Sequence, residues 1–468
     1  STASATTGTG ADGAISLTSA VHGADENINA NSNIVGRTCA DAPTYNVTAF
    51  TATSATITPT ITTDCLVEGD EVMLINLAGT ASSITNLGNY EFLRVAAGTS
   101  GSTVNFTTSK TKYYGSSAGS DAGLGTTDNT QRVMLMRIPN YTNVDIGSGV
   151  SFNPSAYNGV RYGVIAFRAS GYVNVVGSLG YAGGRGPDGG NALGAQGYAK
   201  QGSTVKLNAQ ANTYVVNPSS GGGGGYTSKG GGGGSHATTG SNGLSPGSWQ
   251  STLYGRGGTE IYGENDGSTL TMGGGGGGGG QGYNTVSNWV FAGGEGGDGG
   301  GVVYVGADTI TVGGYIDAGG DNGSGGTNPG GTNIISGGGG GGAGGTVMLV
   351  GRDVNLGSSR VLANAGSGGA DGGTCSYGNV YCDGSDNAAG GAGGVGRVIV
   401  EYVDALTGTS SPGASSTQIT DSSGGYKLYM NPAGDIVFGI DDDESSFPED
   451  YASTATNPYD DNAWHHIV

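Results

Sequence analysis

The chain has 468 residues, of which 101 are glycine, about three times the usual share of roughly 7%. Charged residues make up only 12%, and Asp and Glu outnumber Lys and Arg by 37 to 17, which gives a net charge of -20. This acidic balance argues against nucleic acid and anionic membrane surfaces as partners, because binding either one requires clustered Lys and Arg.

Residues 1–44 are rich in Ser, Thr, Ala and Asn with weak patterning, and they predict an extended N-terminal arm or an edge strand. In residues 45–158, short apolar runs are separated by Gly, Asn and Ser clusters, which is typical of an antiparallel β-sandwich or barrel. The predicted strands of this domain cover 44–50, 55–58, 71–77, 90–95, 103–107 and 132–138.

The region 159–402 holds most of the glycine and a divergent repeat. Its clearest copy, 301–320, consists of a strand, a short polar turn, a second strand and an Ala-Gly-Gly sequence. Related copies begin at Gly163, Gly345 and Gly396. Stacked strand pairs of this kind predict a glycine-rich, β-solenoid-like domain.

Uninterrupted glycine runs lie between these strand pairs, at 221–225, 230–234, 273–280 and 337–342. One interpretation is a flexible linker. The other is a bundle of polyglycine-II helices, which have three residues per turn and no internal hydrogen bonds, so that neighbouring helices bond to each other. We expect the bundle, because the flanking strands supply a frame that offsets the large entropy loss of ordering glycine.

The Thr, Ser, Pro and Gly content of residues 403–423 predicts a linker, and a hairpin is predicted from 426–430 and 435–440. Residues 424–468 resemble laminin-G-like, concanavalin-A-like jelly-roll domains, in a hairpin around a Gly turn and in the pattern D-x-x-W-H-H-I/V. Asp461 and the run from Trp464 to Val468 match that pattern. The resemblance implies a partial C-terminal jelly roll.

Two further stretches, 66–76 and 133–144, resemble glycine-rich bacterial surface proteins in which such a jelly roll follows. The resemblance implies a secreted surface or adhesive role and brings no catalytic residues with it. The chain itself has no nucleophile elbow, phosphate loop or metal motif, and its four histidines lie in none. We therefore expect a non-enzymatic protein with no catalytic or cofactor-binding residues.

The four cysteines predict local disulfides between Cys39 and Cys65 and between Cys375 and Cys382, although four cysteines permit three pairings. Disulfides are typical of oxidising compartments, and the chain has no apolar run of about 18 residues. Together these features predict an extracellular or cell-surface location without membrane insertion.

The strongest charge cluster is the run Asp441, Asp442, Asp443 and Glu444. Carboxylate oxygens suit calcium, which the jelly-roll resemblance also implies as a ligand. The alternative is a solvated acidic loop. Calcium is the one cofactor that the sequence suggests.

The expected function is that of a structural subunit of an extracellular filament or cell-surface assembly. A partial jelly roll leaves unpaired strand edges, so subunits would form homo-oligomers by strand addition, with the N-terminal arm as donor. The alternative is a carbohydrate-binding cell-surface adhesin that binds glycans through the jelly roll or through aromatic residues of the glycine region. Those aromatic residues are Tyr226, Trp249, Tyr254, Tyr283 and Trp289. The other interpretation, which we favour, is that they cover the glycine bundle. Ice binding is a third possibility.

Overall fold

A computed structural model gives the three-dimensional structure. It describes residues 7–80, 83–127, 129–180, 229–245, 254–284, 289–327, 335–373 and 387–419; only the backbone is described at 283–284, 289–291, 426–430, 436–440 and 450–453. The regular secondary structure of the described part is almost entirely β, which confirms the all-β prediction. Its one helix, α1 (Ser19–His22), lies between strands β1 (Ile15–Leu17) and β2 (Asp25–Asn27).

Six antiparallel strands then form a curled sheet, in the order β6-β5-β8-β3-β4-β7. They are β3 (Thr44–Phe50), β4 (Ser54–Thr58), β5 (Glu71–Ala78), β6 (Tyr90–Arg94), β7 (Thr103–Asn105) and β8 (Arg132–Ile138). A bridge between Val95 and Phe106, next to the two outer strands, closes the sheet into a barrel. The six strands predicted here are confirmed, with small differences at their ends.

Strand β5 carries apolar residues on both of its faces because both faces are covered. Side chains alternate between the two faces of a strand. Val72 and Leu74 therefore pack inside the barrel, whereas Met73 and Ile75 join the core of the neighbouring parallel sheet. The barrel and the parallel sheet thus share an apolar interface.

The second sheet has 13 strands, all of them paired in parallel. Besides β1 and β2 it contains β9 (Asn140–Tyr141), β10 (Val144–Ile146), β11 (Ser151–Asn153), β12 (Val164–Ala169), β13 (Tyr172–Val175), β14 (Ser178–Leu179), β17 (Val302–Val312), β18 (Tyr315–Asp317), β19 (Thr346–Leu362), β20 (Arg397–Ser411) and β21 (Ser415–Gln418). A separate hairpin is formed by β15 (Gly282–Asn284) and β16 (Trp289–Phe291).

Successive passes of the chain through the parallel sheet stack in register. One column of aligned residues faces the core and is apolar: Ile15, Val144, Val173, Ile310, Val354 and Leu406. The next column faces outward and is polar: Ser16, Asp145, Asn174, Thr311, Asn355 and Thr407. Register is thus set by which side of each strand is buried.

Two glycines mark a corner where the chain turns between strands of successive passes. A Cβ atom on Gly314 would lie 1.9 Å from the carbonyl oxygen of Gly177, and one on Gly177 would lie 2.4 Å from that of Gly147. The passes stack closely at this corner because no side chain separates them.

The parallel sheet begins before and ends after residues 159–402, the limits predicted for the glycine-rich domain. Within the predicted arm, β1 and β2 are strands of the parallel sheet, and within the predicted linker, β20 continues to Ser411 and β21 follows. Both segments are poor in large apolar residues because they form the two ends of the stack, where fewer side chains are buried.

Three antiparallel strands follow: β22 (Tyr426–Met430), β23 (Ile436–Ile440) and β24 (Asp450–Ser453). The pairing of β22 with β23 confirms the predicted hairpin. Asp461 and the run from Trp464 to Val468 lie outside the described residues, so the jelly roll stays a prediction.

Candidate functional site

In the described ranges of the chain, nine glycine-rich tracts lie side by side and are joined through their backbones. We number them in chain order as tract 1 (229–236), tract 2 (240–245), tract 3 (255–258), tract 4 (272–280), tract 5 (292–300), tract 6 (318–327), tract 7 (336–345), tract 8 (363–372) and tract 9 (388–396). Tracts 5, 7 and 9 lead directly into β17, β19 and β20, and tracts 6 and 8 directly follow β18 and β19. The parallel sheet therefore sets the relative positions of five tracts.

Tract 7 is buried along its whole length and lies at the centre of the others. Residues 337–345 donate hydrogen bonds to tracts 4, 6 and 9, and residues 337–344 accept hydrogen bonds from tracts 1, 5 and 8. Ser336 exchanges two hydrogen bonds with Gly372 of tract 8. The partners change from residue to residue and recur every third residue.

Residues 340–342 illustrate this rotation. Their N–H groups donate to the carbonyl oxygens of Gly277, Gly391 and Asp321, and their own carbonyl oxygens accept from the N–H groups of Gly297, Gly234 and Gly366, at 2.8–3.0 Å. Every backbone polar group of these three residues is satisfied by a different neighbouring tract.

The close approach of the tracts excludes side chains from tract 7. A Cβ atom at any residue from Gly337 to Gly342 would lie 1.8–2.1 Å from a carbonyl oxygen of another tract. Such a separation is far inside van der Waals contact. Glycine is therefore a steric requirement here.

Side chains occur in the outer tracts at a spacing of three residues. In tract 5, Glu295 and Asp298 extend from the bundle, while Gly294 and Gly297 face tract 6. In tract 9, Ala389, Ala392 and Val395 follow the same spacing. This Gly-Gly-X spacing, which was not predicted, separates surface tracts from the pure glycine of tract 7.

His236 joins three tracts at the end of the bundle next to the parallel sheet. Its Nδ1 donates to the carbonyl oxygen of Gly344 in tract 7, 2.7 Å away, so Nε2 accepts from the hydroxyl of Thr271, also at 2.7 Å. Thr271 directly precedes tract 4. Burial, with the nearby Arg397 charge, lowers the pKa of His236 to about 3. The imidazole is therefore neutral and fixed in one tautomer.

Buried ion pairs connect the barrel to the parallel sheet. Arg168 of β12 contacts Glu71 of β5 with an Nε–Oε1 distance of 3.2 Å, and its guanidinium lies 4.3 Å from the ring centre of Phe92 in β6. Arg137 of β8 contacts Asp12, ahead of β1, at 2.6 Å. These contacts hold the two sheets in one relative position.

An open cleft of about 890 Å³ lies where the barrel, the parallel sheet and residues 266–268 meet. Tyr90 and Phe92 of β6 form one side, and Tyr304 of β17 contacts Phe92 with ring centres 4.9 Å apart. The hydroxyl of Tyr90 donates to the carbonyl oxygen of Gly267 at 2.7 Å. Glu401 of β20 lies at another part of the lining.

The structure tests some of the predicted site residues. Cys39 and Cys65 form a disulfide, with Cα atoms 5.3 Å apart, which confirms that pair. Cys375, Cys382, the acidic run from Asp441 to Glu444, Tyr226 and Trp249 lie outside the described residues. Tyr254 directly precedes tract 3, and Tyr283 and Trp289 lie in β15 and β16.

Among the described residues, no three His, Cys, Asp or Glu side chains are close enough together to hold a metal ion. The same residues contain no helix with the length and hydropathy needed to cross a bilayer. No family model, curated protein or solved structure matches the chain. Functional conclusions therefore depend on the geometry of the tracts and of the cleft.

Proposed function

We propose that the chain is a non-enzymatic structural subunit of an extracellular filament or cell-surface assembly. In this proposal, tracts 1–9 are polyglycine-II helices and the parallel sheet is a β-solenoid that frames them. The observation that carries the proposal is the hydrogen bonding of tract 7 to six neighbouring tracts.

The assignment to polyglycine II is supported by the three-residue repeat of partners. A helix with three residues per turn and no internal hydrogen bonds directs its N–H and C=O groups outward in three directions. A tract with six neighbours then uses each direction for one donor and one acceptor, as residues 340–342 do.

The mechanical role follows from the same bonds. Each backbone hydrogen bond adds only about 1 kcal/mol of net stability, and ordering glycine costs more entropy than ordering any other residue. A single tract would therefore remain unordered, whereas several tracts anchored on one sheet order together. The resulting bundle is stiff because bending it would strain bonds in several tracts at once.

Assembly by strand addition is supported by the end of the parallel sheet. Strand β20 pairs with β19 along its length, but β21 pairs with it only from Ile399 to Tyr402. Among the described residues, no strand pairs with Val403–Ser411 on that side, and Asp404 is the only charged residue there. Open edges with so little charge are templates for strands of other chains.

Two measurements test this proposal. Amide hydrogen exchange should show strong protection of 229–234 and 336–345, and exchange as fast as in a random coil would overturn the ordered bundle. Negative-stain microscopy should show assemblies, and monomers at every concentration would overturn the subunit role.

A carbohydrate-binding adhesin is the second candidate, and the open cleft with the partly exposed Tyr90 and Phe92 in its lining favours it. Aromatic rings supply apolar contact area for ligands while their hydroxyls remain able to form hydrogen bonds. Screening against a glycan array, with and without calcium, tests this candidate. Lack of binding under both conditions would contradict it.

A further inference from the structure

The two ends of the parallel sheet cover its apolar core to different extents. At the end formed by β1, Ile15 and Leu17 are 5% and 1% exposed. At the opposite end, Leu406 of β20 belongs to the same inward column as Ile15 but is only half-buried, as are Tyr402 and Ile419, which also pack against the core. The core is therefore closed at the β1 end and less completely covered at the β20 end.

The backbone of β20 is unpaired along this second end. Strand β21 pairs with β20 only up to Tyr402, and the side chain of Gln418 donates to the carbonyl oxygen of Val403 at 2.9 Å. From Asp404 to Ser411, no strand in the described part of the chain pairs with β20 on the side away from β19. The N–H and C=O groups on that side can therefore pair with a further strand.

The side chains of this edge do not oppose pairing. Soluble proteins usually protect an edge strand with Lys, Pro or an inward-pointing charge, and residues 405–411 contain none of these. Ala405, Thr407 and Thr409 are exposed, small and uncharged. The one charge at the edge is on Asp404, whose carboxylate contacts the Arg352 guanidinium at 3.2 Å. An added strand would therefore meet little steric or electrostatic hindrance.

The sequence of the edge is complementary to itself in antiparallel orientation. When two copies pair about Thr407, Leu406 of each copy lies opposite Gly408 of the other, which has no side chain to obstruct it. Asp404 then lies opposite Ser410, and the two Asp404 carboxylates are about six residues apart along the strands, or roughly 20 Å. At physiological salt this separation exceeds the Debye length of about 8 Å, so the like charges repel each other only weakly.

The bend of β20 is compatible with this pairing. At Gly408 the strand turns a corner of the sheet, with φ at 86°, and a Cβ atom there would lie 2.2 Å from the carbonyl oxygen of Gly357 in β19. A two-fold axis next to this corner places the corners of the two copies side by side. Both edges then turn in the same sense around one shared core. Pairing can continue on either side of the corner, and the half-buried Leu406 side chains are covered.

We propose that the open edge of β20 pairs in antiparallel orientation with the same edge of a second copy of the chain, which gives a dimer with two-fold symmetry. Dimers of this symmetry are the commonest homo-oligomers, and both copies contribute the same surface. The β1 end is already covered, so the second copy contributes its β20 end. This contact rests on the proposed role as a structural subunit, and it identifies the strand that the open edge takes.

Sedimentation velocity of the full chain over a range of concentrations tests the contact, and the wild type should dimerise. Thr407→Lys and Thr407→Glu each place like charges opposite each other at the two-fold axis, and each should weaken dimerisation about fivefold or more. An equimolar mixture of the two variants pairs Lys with Glu and should restore dimers as heterodimers. Thr311→Lys and Thr311→Glu, in the same outward column but within the sheet, are the matched controls and should dimerise like the wild type.

The possible outcomes separate this contact from the broader structural role. A mixture that dimerises no better than either variant alone would overturn the antiparallel self-pairing, as would unchanged dimerisation of Thr407→Lys. If that variant still forms the wild-type assemblies in negative-stain microscopy, the structural role stands and only the edge contact is overturned. Wild-type monomers at every concentration would overturn both, and protection of 404–411 from amide hydrogen exchange would then show that the chain itself covers the edge.

Discussion

The Nδ1 atom of His236 donates a 2.7 Å hydrogen bond to the carbonyl oxygen of Gly344, inside the end of the glycine bundle next to the parallel sheet. Burial lowers the pKa of this histidine from 6.5 to about 3. Between these two values the unfolded chain binds a proton that the folded chain does not. Stability that is complete above pH 6.5 is therefore lost as the pH falls.

This difference predicts a loss of about 3 kcal/mol from His236 alone between pH 7 and pH 4, at about 1.36 kcal/mol per pH unit below 6.5. Urea unfolding followed by circular dichroism measures it. His236→Gln should be less stable at pH 7 and should have a shallower pH dependence. His22→Gln, at an exposed position, is the control; an equal pH dependence in wild type and His236→Gln would contradict the prediction.

Alanine substitutions in two tracts test the steric requirement for glycine. A Cβ atom on Gly340 would lie 2.0 Å from the carbonyl oxygen of Gly232, whereas one on Gly325 would lie 3.5 Å from that of Ala370. Gly340→Ala should cost about 3 kcal/mol or more and remove amide protection across tract 7. Gly325→Ala should change stability by less than about 0.5 kcal/mol. Similar unfolding midpoints for both variants would count against a close-packed bundle.

The Arg168–Glu71 contact is expected to stabilise the interface between barrel and parallel sheet. The two side chains are 5% and 9% exposed. Glu71→Ala leaves the buried guanidinium without this carboxylate and should cost about 3–5 kcal/mol. The exposed pair of Arg352 and Asp404, with side chains 38% and 57% exposed, is the matched control, and Asp404→Ala should cost less than about 1 kcal/mol.

A double-mutant cycle separates this pair from the rest of the interface. Replacing Arg168 by Met and Glu71 by Leu together should destabilise the chain less than Glu71→Ala alone, because no buried charge then remains. If the losses of unfolding free energy in the two single variants add up to the loss in the double variant, the contact between Arg168 and Glu71 contributes no interaction energy of its own.

The Cys39–Cys65 disulfide closes a loop of 26 residues. On the loop-entropy estimate, replacing both cysteines by serine should lower the free energy of unfolding by about 3 kcal/mol. The loss should equal that caused by reducing the wild-type protein, and reduction should leave the variant unchanged if no other disulfide contributes. A variant as stable as the oxidised wild type would contradict the prediction.

The strands of the barrel could be predicted from the sequence because their signals are local. The run from Val72 to Ile75 is apolar throughout, and turn residues lie on both sides of the strand. The sharing of Met73 and Ile75 with a second sheet could not be predicted, because it depends on residues far away in the chain. For the same reason the sequence predicts an arm or an edge strand where β1 and β2 lie, and a linker where β21 lies: their strand pairing comes from neighbours, not from their own composition.

The interior of the bundle was foreseen only in outline. Pure glycine at 337–342 indicated that neighbours had to approach closely, but not how many neighbours there are. The three-residue spacing of Glu295 and Asp298 is a local signal for an outer tract that faces solvent on one side. The cleft, by contrast, is lined by residues from four distant segments of the chain: Tyr90, Asp266, Tyr304 and Glu401. No local sequence pattern predicts that these residues lie close together.

The central position of tract 7 has a consequence for biosynthesis. Its partners include tract 1, early in the glycine region, and tract 9, at its end. A chain that emerges N-terminus first from a ribosome or an export channel exposes tracts 1–6 before residues 336–345 exist. Until then the backbone of those tracts is hydrated, and the tracts expose polar groups rather than apolar surface. We therefore expect the bundle to form late in folding. Because tracts 1–6 expose little apolar surface before it forms, they should offer few sites for aggregation.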